Sequence, residues 1–176
     1  MHEKIDINDW ELRSARAWAE IDGYDARGEA GEAEFRERID RLAGELPSDS
    51  PVAVFERACA WDSTGHSDQA VPLYWEALDR GLTGMRRRRA VVQMSSSLRN
   101  IGRVAEAVDL LTAERDNHDP DAAVLADAVA ATLALCLADV GREREAVSVA
   151  LSALAPHLPR YQRSMANYAR LLVEPE

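Results

Sequence analysis

The sequence has little cysteine and no long hydrophobic run. Its 176 residues include two cysteines, Cys59 and Cys136, which are far apart and lie inside apolar helical patterns. We expect both thiols to be small core residues rather than a disulfide or metal ligands. No stretch approaches the roughly 20 consecutive apolar residues that span a membrane. Residues 1–10 lack the apolar segment of a secretion signal, so we expect a cytoplasmic protein without a membrane partner.

Strand signals are nearly absent as well. No run alternates apolar and polar residues with β-branched or aromatic types, whereas Ala, Leu, Arg and Glu, which favour helix, dominate. The net charge is -10, and residues 1–50 hold 14 acids and 7 bases, a balance of -7. Because an acidic chain repels phosphate backbones, nucleic acid is disfavoured as a partner.

Apolar periodicity, glycine and proline divide the chain into nine predicted helices. Glycines follow several apolar segments, as at helix ends, and the dipeptides Ser50-Pro51 and Asp119-Pro120 have the capping residue and proline of helix starts. The connections are short, so successive helices should pack antiparallel. The predicted ranges are 8–24, 29–46, 51–64, 67–80, 84–101, 103–117, 120–140, 142–156 and 159–173.

A motif recurs three times at intervals of 37 and 39 residues. Gly65, Gly102 and Gly141 each begin the pattern Gly-x4-Ala-Val. Seven residues before each glycine stands a small residue, and four before stands a large apolar one. Antiparallel helices approach closely where both carry small side chains, and glycine permits the tight turn between them. The recurrence therefore predicts three stacked helix pairs.

This arrangement resembles the tetratricopeptide repeat. The family pattern has a small residue, a large one three later, a turn glycine, an alanine five after it and an aromatic four further on. Gly65 to Leu78, with Ala70 and Tyr74, matches closely, and the copies that begin at Gly102 and Gly141 match in part. The resemblance implies an all-α fold: a right-handed α-solenoid of antiparallel helix pairs, with loops between repeats longer than in the typical 34-residue unit.

The resemblance also implies a domain organisation. Residues 51–158 would hold three repeats, at about 51–84, 88–118 and 127–158. Residues 1–46 would form a helical hairpin, either a degenerate repeat or a cap, whose acidic surface suits an exposed end of the array. Residues 159–173 would form a capping helix at the other end. The chain is further similar to a subfamily of small bacterial tetratricopeptide proteins, and this similarity suggests a homodimer.

In the family, the first helix of each pair lines a concave groove that binds partners. The groove positions that the alignment carries over include Phe55, Asp62, Arg89, Gln93, Ser96, Arg99, Asn100, Thr132 and Leu135. Arg89 and Arg99 between Phe55 and Leu135 would suit an extended or helical peptide that bears a carboxylate. Phe55, Val92 and Ala131 occupy places where the family's clamp for acidic C-terminal peptides uses Lys, so chaperone-tail binding is not predicted. The same surface can equally pack against a second subunit or the last helix.

Motifs for catalysis and metal binding are missing. His2, His66, His118 and His157 fall in the N-terminal tail or near turns, and none has metal-ligand spacing. The sequence has no phosphate-binding loop, nucleophile elbow or His-Glu-x-x-His. We therefore assign no catalytic residue, metal or cofactor.

Two groups of residues also allow a more specific functional interpretation, which we consider less favoured. The run Arg86 to Arg89 fans out by about 100° per residue on a helix, so it forms no single basic stripe. We expect these arginines to be solvated and to pair with the acidic N-terminal hairpin. The four tryptophans suggest a ligand cage, but at helical spacing they are expected to pack between helices.

Three functions remain open. The first is a non-enzymatic protein–protein interaction module or scaffold that self-associates. The second is a regulatory or sensor subunit whose groove binds an acidic peptide or a small effector. The third is an enzyme on a helical scaffold, for which no constellation of catalytic residues is visible.

Overall fold

The computed structural model describes residues 5–174. Ten α-helices and two short 3-10 helices follow one another along this range, and none of these residues forms a strand. Neighbouring helices in the chain pack on each other, for example the fourth on the fifth and the eighth on the ninth. The predicted all-α fold of packed consecutive helices is confirmed.

The chain divides into two compact units, one ending at Arg86 and the other beginning at Arg87. The first unit contains α1 (Ile7–Ala19), α2 (Ile21–Asp25), α3 (Glu29–Ala43), α4 (Pro51–Ser63) and α5 (Ser67–Asp79). Helix α6 (Gly84–Asn100) starts just before the boundary, and the second unit continues with α7 (Val104–Arg115), α8 (Ala126–Asp139), α9 (Glu143–Leu154) and α10 (Gln162–Leu171). The 3-10 helices are Pro120–Leu125 and Ala155–His157.

Helix boundaries differ from the predicted ones in two informative places. The single helix predicted for residues 8–24 is two helices, because Glu20 leaves the helical region with φ -99° and ψ 1°. The helix predicted from residue 159 begins only at Gln162, because Tyr161 adopts a left-handed conformation with φ 69°. Both breaks occur at residues with ordinary helix propensity, so neither had a glycine or proline to signal it.

One stretch of the described residues passes a length and hydropathy test for a membrane-spanning helix, although it is not an unbroken apolar run, since it contains Asp121, Asp127 and Asp139. Residues Pro120–Asp139 form a helical segment of 20 residues with mean hydropathy 1.8, enough to cross a membrane by length and composition alone. A core helix of a soluble protein passes the same test. About one third of this segment is buried within the protein, including Val129, Leu133 and Leu137.

Tryptophan and phenylalanine dominate the core of the first unit. Trp10 is buried, and its indole Nε1 donates a hydrogen bond of 2.8 Å to the carbonyl oxygen of Leu42. Trp18 packs edge-on against buried Phe35, with 5.1 Å between ring centroids. These rings join α1 to α3, which confirms that both tryptophans pack between helices.

The three recurring glycines end the first helix of each pair in the same way. Gly65, Gly102 and Gly141 have φ of 80°, 80° and 78°, which an L side chain adopts only with strain. The amide that follows each glycine donates to the carbonyl five residues back, to Trp61, Leu98 and Leu137, at 2.8 to 2.9 Å. Each turn is therefore a Schellman motif, which satisfies the helix's last carbonyls and starts the return helix.

Small residues lie where the paired helices meet. In the first unit, Ala58 on α4 and Ala70 on α5 are completely buried. In the second unit, Ser95, Ala107 and Ala146 are buried on α6, α7 and α9, and the Ser95 hydroxyl has no hydrogen-bond partner among the described residues. Ser95 thus contributes to the packing of α6 through its small size rather than through a hydrogen bond. These five positions are buried, as a close approach of the paired helices requires, while Ala134 is only half-buried.

We predict that Gly65→Ala lowers the free energy of unfolding by about 1–2 kcal/mol, because the alanine must hold a positive φ. No atom lies within 4 Å of the added methyl, so backbone strain is the whole effect. Gly23→Ala is the matched control, since it also meets nothing within 4 Å but lies in α2 without a positive φ. It should be neutral or stabilise by up to about 1 kcal/mol in urea unfolding. Equal effects of the two substitutions would contradict the prediction.

Candidate partner-binding surface

Two of the nine predicted groove residues lie on α4 in the first unit. Phe55 is completely buried, and its ring centroid lies 6.3 Å from that of Tyr74 on α5. Asp62 is half-buried, and its Oδ2 accepts a 3.0 Å hydrogen bond from the Tyr74 hydroxyl. Burial, together with neighbouring Cys59 and Asp62, raises the pKa of Tyr74 well above its ordinary value. Phe55 and Asp62 thus have structural partners within the α4–α5 pair.

Five more lie on α6. Arg89, Gln93, Ser96 and Asn100 follow one another at steps of four, three and four, so they share one face of the helix. Arg89, Ser96 and Asn100 are exposed, and Gln93 is partly exposed. Arg99 lies beside this stripe and is half-buried. This face of α6 is polar and rich in hydrogen-bond donors.

The last two lie on α8. Leu135 is 54% exposed and is one of the large hydrophobic residues that the second unit leaves uncovered. The hydroxyl of Thr132 donates a 2.9 Å hydrogen bond to the carbonyl oxygen of Ala128, one turn earlier. The hydroxyl proton of Thr132 is therefore engaged in a hydrogen bond within α8. A partner could contact only the methyl group of Thr132 and the acceptor lone pairs of its hydroxyl oxygen.

An ion pair joins α6 to α8 on this surface. The Arg99 guanidinium donates to the Asp139 carboxylate, and both side chains are about one-third exposed. The hydrogen bond from Arg99 holds the pKa of Asp139 below its usual range, and the same contact raises the pKa of Arg99. The positive charge of Arg99, which was predicted to bind a partner's carboxylate, is therefore already paired with the Asp139 carboxylate within the protein.

The Arg86–Arg89 run makes partly different contacts from those expected. Arg86 donates a 2.6 Å hydrogen bond to Glu11 on α1, as the predicted pairing with the N-terminal hairpin requires. Arg88, by contrast, is only 4% exposed, so the expectation that it is solvated is wrong. It shares one face of α6 with buried Val91 and Ser95, and that spacing is the signal that sequence reasoning missed.

Arg88 is held by three groups of the second unit. Its Nε donates to Glu114 Oε1 at 2.9 Å, and its two terminal nitrogens donate to the carbonyl oxygens of Asn117 and Ala122 at 2.5 and 2.9 Å. Glu114, on the last turn of α7, is 2% exposed and also accepts from Arg87. Every charge in this cluster is paired and hydrogen-bonded, as a buried ion pair requires.

A different arginine–glutamate contact follows two of the three turn glycines. Arg103 and Arg142 directly follow Gly102 and Gly141. Arg103 donates two hydrogen bonds to Glu106 and Arg142 donates three to Glu145, in each case to the glutamate three residues on and at 2.6 to 3.0 Å. The hydrogen bond from Arg103 lowers the pKa of Glu106. Gly-Arg-x-x-Glu-Ala-Val occurs in both copies and could have been found in the sequence. The contact fixes the first turn of each return helix.

Chemically, the surface offers hydrogen bonds and apolar contacts. Among residues 5–174, no three His, Cys, Asp or Glu side chains are arranged to hold a metal ion. Cys59 and Cys136 are buried and unbonded to each other, and burial raises the pKa of the Cys136 thiol.

Residues 51–172, more than half of the chain, match the family described as "Tetratrico peptide repeat". The chain belongs to the tetratricopeptide-repeat family. No curated protein and no solved structure matches it. Tetratricopeptide repeats are in general non-enzymatic modules that bind other proteins or peptides. The match indicates a protein–protein interaction module in this general sense. The nine groove residues of this tetratricopeptide-repeat protein remain a prediction as partner contacts.

We predict that Glu114→Ala destabilises the protein by about 3–5 kcal/mol, because it leaves the Arg88 charge buried and uncompensated. The double variant Arg88→Met/Glu114→Leu should recover most of this loss, since it removes both charges and keeps the volume. Glu106→Ala, which breaks an exposed arginine pair on the same helix, serves as the control and should have little effect. The measurement is urea unfolding. A double variant as unstable as Glu114→Ala would show that the uncompensated charge of Arg88 is not the cause of the destabilisation.

Proposed function

We propose that this protein is a non-enzymatic scaffold that binds another protein or peptide and also associates with itself. The family membership of residues 51–172 carries the first half of this proposal. The self-association is supported by the uncovered hydrophobic residues, because single domains rarely leave such residues clustered. Six of the large exposed ones fall in the last part of the chain: Val147, Leu154, Tyr161, Tyr168, Leu171 and Val173.

Self-association predicts a weight-average mass that rises with concentration. We expect sedimentation equilibrium to give the mass of one chain, 19.5 kDa, at the lowest concentrations and a multiple of it within the micromolar range. Moderate salt should shift the concentration at which the chain associates if exposed charges contribute to the contact. A mass of one chain throughout the micromolar range would refute the self-association.

A second candidate is a regulatory or sensor subunit that binds an acidic peptide or small effector. The observation that favours it is the polar face of α6, where Arg89 and Arg99 lie among amide and hydroxyl side chains. A ligand carboxylate would replace Asp139 as the partner of Arg99, so binding and breaking of that ion pair would be coupled. Such exchange would let a ligand alter the contact between α6 and α8.

This candidate predicts that Arg99→Glu abolishes binding of acidic peptides. The probe is an array of immobilised glutamate-rich peptides together with counterparts in which Gln replaces each Glu. Arg103→Glu is the matched control, because Arg103 is likewise paired with one carboxylate, Glu106, but lies in the turn between α6 and α7. We expect wild type and Arg103→Glu to prefer the acidic peptides and Arg99→Glu to lose the preference. Equal signals from all three proteins would refute a groove that recognises carboxylates.

A further inference from the structure

The last part of the chain carries positive charge without acidic residues beside it in the sequence. Residues 146–173 contain no Asp or Glu, although the whole sequence has 31. Arg160, Arg163 and Arg170 lie in this stretch, and all three are exposed. In a chain whose net charge is -10, this segment is a local exception, so an anionic partner meets less repulsion there.

The three arginines line one open groove along α10. The groove has a volume of about 1040 Å³, and none of its nine lining residues is acidic. Arg163, Asn167 and Arg170 follow one another at steps of four and three, so they share one face of the helix. Arg160 and Tyr161 lie just before α10 and line the same groove. We call these five residues the basic groove.

Two arginines of the basic groove have no opposite charge to hold. Arg160 and Arg163 form no ion pair with any residue from 5 to 174. On α6, by contrast, Arg99 is already paired with Asp139. A ligand carboxylate must displace an internal one to reach Arg99, whereas Arg160 and Arg163 can bind a carboxylate without losing an ion pair.

The remaining polar groups of the basic groove are also donors. Arg170 pairs with Glu174 one turn later, and its other terminal nitrogen donates a 2.8 Å hydrogen bond to Asn167 Oδ1. The amide oxygen of Asn167 is thus engaged, and the group that it presents to a ligand is its NH2, which only donates. The pair between Arg170 and Glu174 is exposed and contributes little stability, so a ligand carboxylate can replace Glu174 at small cost.

Tyr161 adds an aromatic surface in an unfavourable backbone conformation. Among residues 5–174 it is the only non-glycine residue with a positive φ, 69°, and it is 74% exposed. A bulky residue rarely adopts this conformation, and an exposed ring gains little from packing in return. Tyrosine and arginine are the residue types enriched where proteins bind partners. The ring of Tyr161 is therefore better explained by binding than by the stability of α10.

The spacing of the arginines fits an extended peptide. Arg163 and Arg170 are seven residues apart, which is about 10 Å along a helix. An extended chain advances by about 3.3 Å per residue, so carboxylates three residues apart in a peptide have the same spacing. A single small anion would leave most of the groove unfilled, and the net charge of -10 disfavours a nucleic-acid backbone.

We propose that the basic groove binds an extended segment of a partner protein in which Asp or Glu recurs at about every third position. The carboxylates of this segment accept hydrogen bonds from Arg160, Arg163 and Arg170, and one of its carbonyl oxygens accepts from the Asn167 amide. The Tyr161 ring packs on the side chains between the acids. This inference rests on the proposed function as a module that binds a protein or peptide, and it specifies the chemistry of the partner and the helix that binds it.

The test measures peptide binding by fluorescence anisotropy. One labelled probe has Glu at every third position with Ala and Ser between, and the other has Gln in place of each Glu. Wild type should prefer the Glu peptide by about tenfold or more, and added salt should reduce this preference because it screens exposed charges. The double variant Arg160→Gln/Arg163→Gln should lose the preference. Arg103→Gln/Arg115→Gln is the matched control, because it removes two exposed arginines of the second unit that lie outside α10, and it should bind like wild type.

Tyr161→Gly separates binding from folding. Glycine adopts a positive φ without strain, so this variant should be about as stable as wild type in urea unfolding, or more stable. It should nevertheless bind the Glu peptide several-fold more weakly, because the aromatic contact is lost. Unchanged affinity for the Glu peptide would show that Tyr161 is not part of the binding surface.

Four outcomes would overturn the proposal. Equal affinity of wild type for the Glu and Gln peptides would refute recognition of carboxylates in the basic groove, whereas the proposed self-association is tested separately by sedimentation. Loss of the preference in Arg99→Glu but not in Arg160→Gln/Arg163→Gln would place the acidic-peptide site on α6. Tighter binding of a single-stranded oligonucleotide than of the Glu peptide would show that the groove selects phosphate. Loss of self-association with unchanged peptide binding in Arg160→Gln/Arg163→Gln would identify a second copy of the chain as the occupant.

Discussion

Close approach of helix backbones governs the arrangement of this protein. The return helices bury alanines, and Ala70 and Ala107 are completely buried on α5 and α7. Such contacts form only if the chain reverses within one or two residues, which the positive φ of the turn glycines permits. The Schellman hydrogen bonds and the arginine–glutamate contacts after two of the glycines then fix the direction of the return helix. The surfaces available to partners are what these pairs leave uncovered.

The parts of the fold that depend on local spacing could be predicted from the sequence. The steps between Gly65, Gly102 and Gly141 locate the turns, and the alanines five residues later identify the buried side of each return helix. Both features reflect interactions within a few residues, which a periodic pattern records directly. The grouping of Arg89, Gln93, Ser96 and Asn100 on one face of α6 follows from the same periodicity.

Apart from the pairing of Arg86 with the N-terminal hairpin, contacts between residues distant in the chain could not be predicted. Arg99 and Asp139 are 40 residues apart, and no feature of either segment indicates that the two charges meet. Phe55 likewise occupies a position that faces the groove in the family, but here it is buried beside Tyr74. The end of α1 at Glu20 falls at a residue without glycine or proline character, so the residue type does not signal it. The sequence therefore identified candidate site residues, but it could not predict which of them are paired with an opposite charge or which are exposed.

The buried Arg88 explains how the array accommodates an irregular spacing. The segment between α7 and α8 makes the interval from Gly102 to Gly141 longer than the family's typical 34-residue unit. Arg88 binds carbonyl oxygens at Asn117 and Ala122, near both ends of that segment, so the added chain is anchored by an earlier helix. The path of this connection thus depends on a buried arginine of an earlier helix and on its glutamate partner. Relatives with a shorter connection would be expected to have lost both charges together.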